Sequence, residues 1–190
     1  MTRDIDSSSV GDAARFLSFA VLTERFAAMA AAPRDAGRVV MLVSRGHDGR
    51  RALRERVRLT VTGGMPDDAW GRRTPEHLEA QLAVMQADVA ALLANEQPLV
   101  LFGDNLFLDL DLSTANLPVG SRLRVGAAVL EVTHKAHNGC RKFSARFGAE
   151  ALRFVADPTL RPRNLRGIYL RTVEDGEVAV GDAVSVLTRA

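Results

Sequence analysis

Cysteine occurs once in this chain of 190 residues. No intramolecular disulfide can form, so a reducing cytoplasm is the expected compartment. Lysine is almost as scarce, because every basic residue except Lys135 and Lys142 is arginine. There is no long basic run, and 25 Lys and Arg stand against 23 Asp and Glu, so nucleic acid is not expected and only a local anion site is supported. Long apolar runs are missing too. The N-terminus, MTRDIDSSSVGDAARFLSFAVLTERF, has acids early, and Arg15, Glu24 and Arg25 interrupt its apolar residues. That excludes a clean signal peptide and a membrane span, which needs about 18 uncharged apolar residues. What remains is globular in balance, 47% hydrophobic and 25% charged. The length suits one core with an appended element better than two enzyme domains.

The order of patterns predicts a mainly β chain. Ser9 and Asp12 can cap a helix, and Phe16, Phe19, Ala20, Thr23, Phe26, Ala27 and Ala30 recur at helical spacing toward Pro33. One amphipathic helix is expected, serving packing or dimerisation. Its polar face has no basic stripe, so no membrane surface is expected. RVVMLVS and RVRLTVT read as strands. The turn-rich GGMPDDAWGRR follows, in which Trp70 either anchors the segment, the preferred reading, or lines a pocket. Thr74 and Pro75 then open a helix whose stripe is Leu78, Leu82, Met85, Val89 and Leu92, closing near Asn95. Beyond Pro98 the segments LVLF, LFLDLDL, RLRV, AVLEVT, GIYLRTV, EVAV and AVSVL read as strands, with EDGE at Gly176 as a hairpin turn. One helical insert, SARFGAEALRFV, interrupts them. Many short strands with few helices imply a β-barrel, with an N-terminal amphipathic helix and one long helix before the second half of the barrel.

Both lysines, the cysteine and two of the four histidines fall in THKAHNGCRKF, Thr133 to Phe143. His134, His137 and Cys140 are zinc-ligand types at regular spacing, although a structural zinc takes four ligands and no second cysteine exists. The alternative is that the histidines are ordinary side chains beside a turn. Gly139, Arg141, Lys142 and His137 are poor companions for a core position, and positive charge near a thiol favours the reactive thiolate. Cys140 is therefore a candidate functional residue. LRPRNLRGIYL sets Arg161, Arg163 and Arg166 beside Asn164 just before a strand, and guanidinium forks match phosphate or another oxyanion. Gly167 would let a bound group approach the backbone. Asp104 and Asn105 follow a predicted strand as turn or pocket residues, while Asp109 and Asp111 read as a solvated face.

The ordered set GDNLFLDLDL, LPVGSRLRVGAAVLEVT, NGCRKF, LRGIYLRTV and DGEVAVGDAVSVL resembles the MOSC domain, the module named after the C-terminal part of molybdenum cofactor sulfurase. The match runs from about residue 99 to 187, within an expected barrel domain of residues 37–190 that follows an N-terminal helical extension of residues 1–36. The resemblance implies a MOSC-like β-barrel with one functional cysteine, which carries sulfur or ligates molybdenum held by a pterin cofactor. On that basis Cys140 is the catalytic residue and metal ligand. Asn105, Lys142, Arg163 and Arg166 are the cofactor-binding residues. Sulfur transfer or molybdenum-dependent reduction of N-oxygenated compounds is the implied chemistry, with a redox or sulfur-donor protein as partner. Asp104 stands where the family has glutamate and Gly139 where it often has proline. The family's histidine, paired glycines and aspartate survive only as TGGMPDD. Pyridoxal phosphate is not expected as a bound cofactor, since its Schiff-base lysine would have to be Lys135 or Lys142. The rival readings are a non-catalytic binding module on the same barrel, with a structural cysteine, and a zinc site at His134, His137 and Cys140.

Overall fold

The computed structural model describes residues 8–72 and 77–190, the last two residues of the first span by backbone only. Its main sheet contains β1 (Ala36–Arg45), β2 (Arg51–Arg54), β4 (Leu82–Gln86), β5 (Leu106–Asp109), β6 (Arg122–Val125), β7 (Ala128–Val132), β8 (Ile168–Glu174) and β10 (Ala183–Thr188). The order runs β10, β6, β7, β8, β4, β5, β1, and β1 pairs back onto β10, so seven strands close into a barrel. Closure works because β1 is long enough to serve two neighbours on one edge. Ala36–Arg38 pair with β10, Leu42–Arg45 pair with β2, and a register shift between Val39 and Met41 bends the strand between them. A separate ribbon joins β3 (Arg56–Leu59) to β9 (Gly176–Ala179).

The barrel is filled by alternate side chains. Leu106 and Leu108 of β5 pack with Leu82, Val84, Leu130 and Leu170 inside it. Phe107, between them, joins an outer core with Met85, Val43 and the helices. β4 and β5 are thus buried on both faces, as strands of a parallel pair usually are. The crossover between them carries α2 (Ala87–Ala94), which ends on Asn95 in the left-handed conformation.

Several sequence expectations need correction. The stripe from Leu78 to Leu92 is not one long helix: Leu82 and Met85 lie in β4, Val89 and Leu92 in or beside the buried face of α2. A strand buried on both faces shows no alternation, so its apolar residues mimicked helical spacing. Thr74 and Pro75 lie outside the described residues. The N-terminal helix is also shorter than expected. Asp12 caps only a 3-10 turn at Ala13–Arg15, the chain becomes extended at Phe16, and Ser18 caps α1 (Phe19–Ala27). LVLF is a 3-10 turn, Leu99–Phe102, because the Val100 and Leu101 carbonyls accept from Arg51 Nη1 rather than from a neighbouring strand. The turn at Gly176 makes no hairpin with β8, since β9 leaves the barrel to pair with β3. The helical insert is two helices, α3 (Arg141–Phe147) and α4 (Ala149–Val155), with Gly148 between them. Phe19 and Phe26 of α1 meet Phe154 of α4 edge-on, at 5.7 and 5.8 Å, which fastens the N-terminal segment to the barrel's outer core.

Candidate functional site

Two buried aspartates organise the chemistry. Asp68, whose side chain is 1% exposed, comes from the GGMPDD segment. Its carboxylate accepts from Arg45 through the backbone N–H, Nε and Nη2 at 2.9, 3.0 and 2.9 Å. It also accepts from Trp70 N–H at 2.9 Å and Asn105 Nδ2 at 2.7 Å. Burial alone would raise this carboxyl, but the Arg45 guanidinium and the backbone donors hold it below its usual value. Arg45 is thereby fixed as a fork on Asp68, and among the described residues its Nη1 has no acceptor.

Asp104 is the second. It is fully buried, and Arg166 Nη1 donates to both of its oxygens at 3.0 and 2.9 Å. Burial pushes the Asp104 carboxyl up from its usual range, opposed by Arg166, Arg45 and Arg51. The Arg166 guanidinium also lies 5.3 Å over the ring of Phe143 in α3, while its buried Nε has no hydrogen-bond partner. His137, 7% exposed, approaches from the cysteine segment with Nδ1 3.5 Å from Asp104 Oδ1, too far for a hydrogen bond. Burial, then the Arg166 and Arg45 charges, hold this imidazole well below its ordinary value, so it is neutral. Its ring packs on Tyr169 at 4.4 Å. Burial, then Asp104, raise the Tyr169 phenol, which therefore keeps its proton.

Arg45, Arg166, His137 and Tyr169 border one open cavity of about 550 Å³, whose cations are Arg45, Arg51, Lys142, Arg146 and Arg166. Its only lining carboxylate among the described residues is Asp48. Arg51 and Arg146 also hold backbone carbonyls, those of Val100, Leu101 and Ser9. Trp70, Phe102 and Tyr169 supply apolar surface, and Trp70 is anchored as well, by Nε1 donating to His77 O at 3.0 Å. A cavity with these walls suits a phosphate or oxyanion carried on a flat organic group.

Cys140 is a free, exposed thiol at the N-cap of α3, two residues before Lys142. The cysteine segment and the start of β8 do meet, through His137 against Tyr169. A Cβ at Gly139 would sit 2.5 Å from Leu152 Cδ1, so the proline of the resembling family would require the end of that leucine to shift. Gly167 has a φ of +94°, and a Cβ there would lie 2.2 Å from Val84 O. The close approach it permits is that of β4 backbone.

Cys140 itself is not among the residues lining the arginine-rich cavity, and other expected site residues sit elsewhere. Arg163 lines a different cavity, beside Phe26, over whose ring its guanidinium lies at 5.4 Å. Asn105 is fully buried, with its amide spent on Val43 O, Asp68 and Ala83 N–H. It orients Asp68, and through it Arg45, rather than a bound group. His134 turns outward to Glu79 at 3.4 Å while His137 turns inward, so the three zinc-ligand types diverge. No cluster of three or more His, Cys, Asp or Glu side chains is arranged to hold a metal among the described residues.

Arg45, Arg51, Tyr169 and Asp68 were not singled out from sequence. The available signals were slight: Tyr169 is the sole tyrosine and follows Arg166-Gly167 closely, and Asp68 stands in the segment matched to the resembling family's glycine-rich signature.

Among family descriptions, MOSC domain matches residues 73–185. Three solved structures share the fold. YuaD from Bacillus subtilis is 16% identical with a TM-score of 0.58, covering 82% of this chain and 98% of that one. A structure described as a hypothetical protein gives 19% and 0.59, covering 89% and 73%. YiiM from Escherichia coli gives 18% and 0.54, covering 80% and 71%. No curated protein matches the chain by sequence.

Proposed function

The chain belongs to the MOSC domain family, and from that membership we propose that its arginine-lined cavity binds the phosphate-bearing pterin of a molybdenum cofactor, with Cys140 as the thiolate offered to the metal. The observation that carries this reading is the convergence of five cationic side chains on a cavity with one lining carboxylate. Arg45 and Arg166 are held in place by Asp68 and Asp104, so little of their freedom remains to be lost on binding a phosphate. The buried Arg166 Nε is a donor without a partner among the described residues, as a bound oxyanion would require. Trp70 and Tyr169 offer faces to a flat heterocycle.

When bound, such a cofactor supplies the oxygen-atom chemistry by which N-oxygenated compounds are reduced, while the protein binds and orients. The chain's own contribution is a neutral His137, a phenol proton held on Tyr169, and cations that exclude competing positive ligands. An electron-donor protein is the partner this reaction requires. The exposure of Cys140 favours a second reading, in which the thiol carries sulfur as a persulfide delivered by a donor protein.

Metal, pterin and sulfane-sulfur analysis of natively purified protein tests both. Molybdenum and pterin present in the wild type, with the metal lost in Cys140→Ala, is the result expected on the first reading. Sulfane sulfur on Cys140 without molybdenum supports the second. A protein with neither, and with a thiol inert to alkylation, overturns both.

A further inference from the structure

The two lysines that bracket Cys140 border different cavities. Lys142 lines the arginine-rich one, whereas Lys135 lines a second cavity of about 450 Å³ between the Thr133–His137 segment and residues 158–168. Among the described residues, the one common to both linings is His137. The imidazole thus touches both cavities, and it is buried with Nδ1 unpartnered.

The second cavity has a different chemistry from the first. Its floor and walls are apolar: Leu117, Val119, Val132 and Ile168. Val119 is 54% exposed, a large apolar residue left open to solvent where its neighbours could have covered it. Pro158 and Pro162 form one wall, and their fixed φ angles make it a preformed one. The segment is tied down by Asn164, which donates to Leu112 O at 2.9 Å, and by Thr114 N–H donating to Pro162 O at 2.8 Å. At the rim stand Lys135 and Arg161, both exposed, and neither side chain makes an ion pair or hydrogen bond among the described residues. Among the described residues no carboxylate lines the cavity, and Glu79, beside His134, is engaged by that imidazole.

We propose that this second cavity is a separate binding site for a small organic acid, with its apolar body on the Leu117, Val119 and Ile168 surface and its carboxylate between Lys135 and Arg161. The size is within the range of small-molecule sites. Two unpaired cations facing an apolar floor select an anion with a hydrophobic tail over both a bare anion and a neutral apolar compound. The site stands on its own geometry and does not depend on what occupies the arginine-lined cavity. It would bring its ligand to His137, which also borders that cavity.

The test uses the full chain, benzoate as the probe and inorganic phosphate as the comparison, each followed by backbone amide shifts. Benzoate is expected to saturate and to move amides of Thr133–His137 and residues 159–168, excluding the prolines. The double variant Lys135→Ala, Arg161→Ala should weaken benzoate about tenfold or more, while phosphate binds the variant as it binds the wild type. Both substituted side chains are exposed, so the variant is expected to fold, and an unchanged amide spectrum away from the site verifies it. The inference is overturned if benzoate fails to saturate, if the double variant binds it as the wild type does, or if benzoate and phosphate displace one another from the arginine-lined cavity.

Discussion

Arg166 Nη1 donates to both oxygens of Asp104, at 3.0 and 2.9 Å, in a place where the carboxylate is wholly buried and the guanidinium nearly so. Arg166 comes from the segment before β8 and Asp104 from the turn before β5, so the pair ties two barrel strands to the cavity wall. Asp104→Asn leaves a buried guanidinium without its counter-charge. The expected loss is about 3–5 kcal/mol in urea unfolding. A loss under about 1 kcal/mol would show that the pair does not hold the site together.

Asp68 gives a prediction with a sign in pH. Its folded-state carboxyl is held below the usual 3.8, so the stability it contributes is present above that value and is lost as pH falls through the folded one. Asp68→Asn should therefore cost about 2 kcal/mol or more at neutral pH. The gap between variant and wild type should narrow on acidification below pH about 4. Denaturant midpoints measured from pH 7 to pH 3 check both statements, and a gap that widens in acid would contradict the assignment.

His137 acts in a higher pH range. Its folded value lies well below the ordinary 6.5, so the unfolded chain takes up a proton before the folded one does. Stability is complete above about pH 6.5 and declines as pH falls toward the folded value, by up to about 1.4 kcal/mol per unit for one proton. His137→Gln should lack this slope between pH 6.5 and 5. A variant that keeps the wild-type slope would mean that some other group provides it.

Gly167 tests the packing beneath the site. Its positive φ and the contact a Cβ would make with Val84 O both oppose a side chain. Gly167→Ala should cost about 2 kcal/mol or more, through strain at φ and displacement of β4. A thermal midpoint within about 2 °C of the wild type would contradict it.

The parts of this fold that were legible in the sequence are those where one face decides. β6 alternates, with Leu123 and Val125 buried between the exposed Arg122 and Arg124, so RLRV declared itself as a strand, and the valine-rich run AVLEV did so by composition. β4 did not, because burial on both faces erased its period, and α2 directly behind it completed a false helical stripe. In the site, Lys142 beside the cysteine and Arg166 just before β8 were legible as anion-binding types, and both border the same cavity. Arg163 shares their chemistry but not their direction, since the 3-10 turn Arg161–Arg163 sends it toward Phe26. Arg45 was hidden for the opposite reason. It ends an apolar strand far from the cysteine in sequence, and its role arises from Asp68 and Asn105, three segments joined only by folding. A carboxylate that gathers five donors has no local sequence signature.

The most direct measurement on the arginine-lined cavity is an inorganic phosphate titration of the full chain, read residue by residue from amide shifts. The expected result is saturable binding that moves Arg45–Arg51, Phe102–Gly103 and Lys142–Arg146, weakened about tenfold in the exposed-site variant Lys142→Gln and further in Arg166→Lys. Phosphate that does not saturate, that moves other residues instead, or that binds both variants as tightly as the wild type would contradict an oxyanion-binding cavity at this place in the barrel.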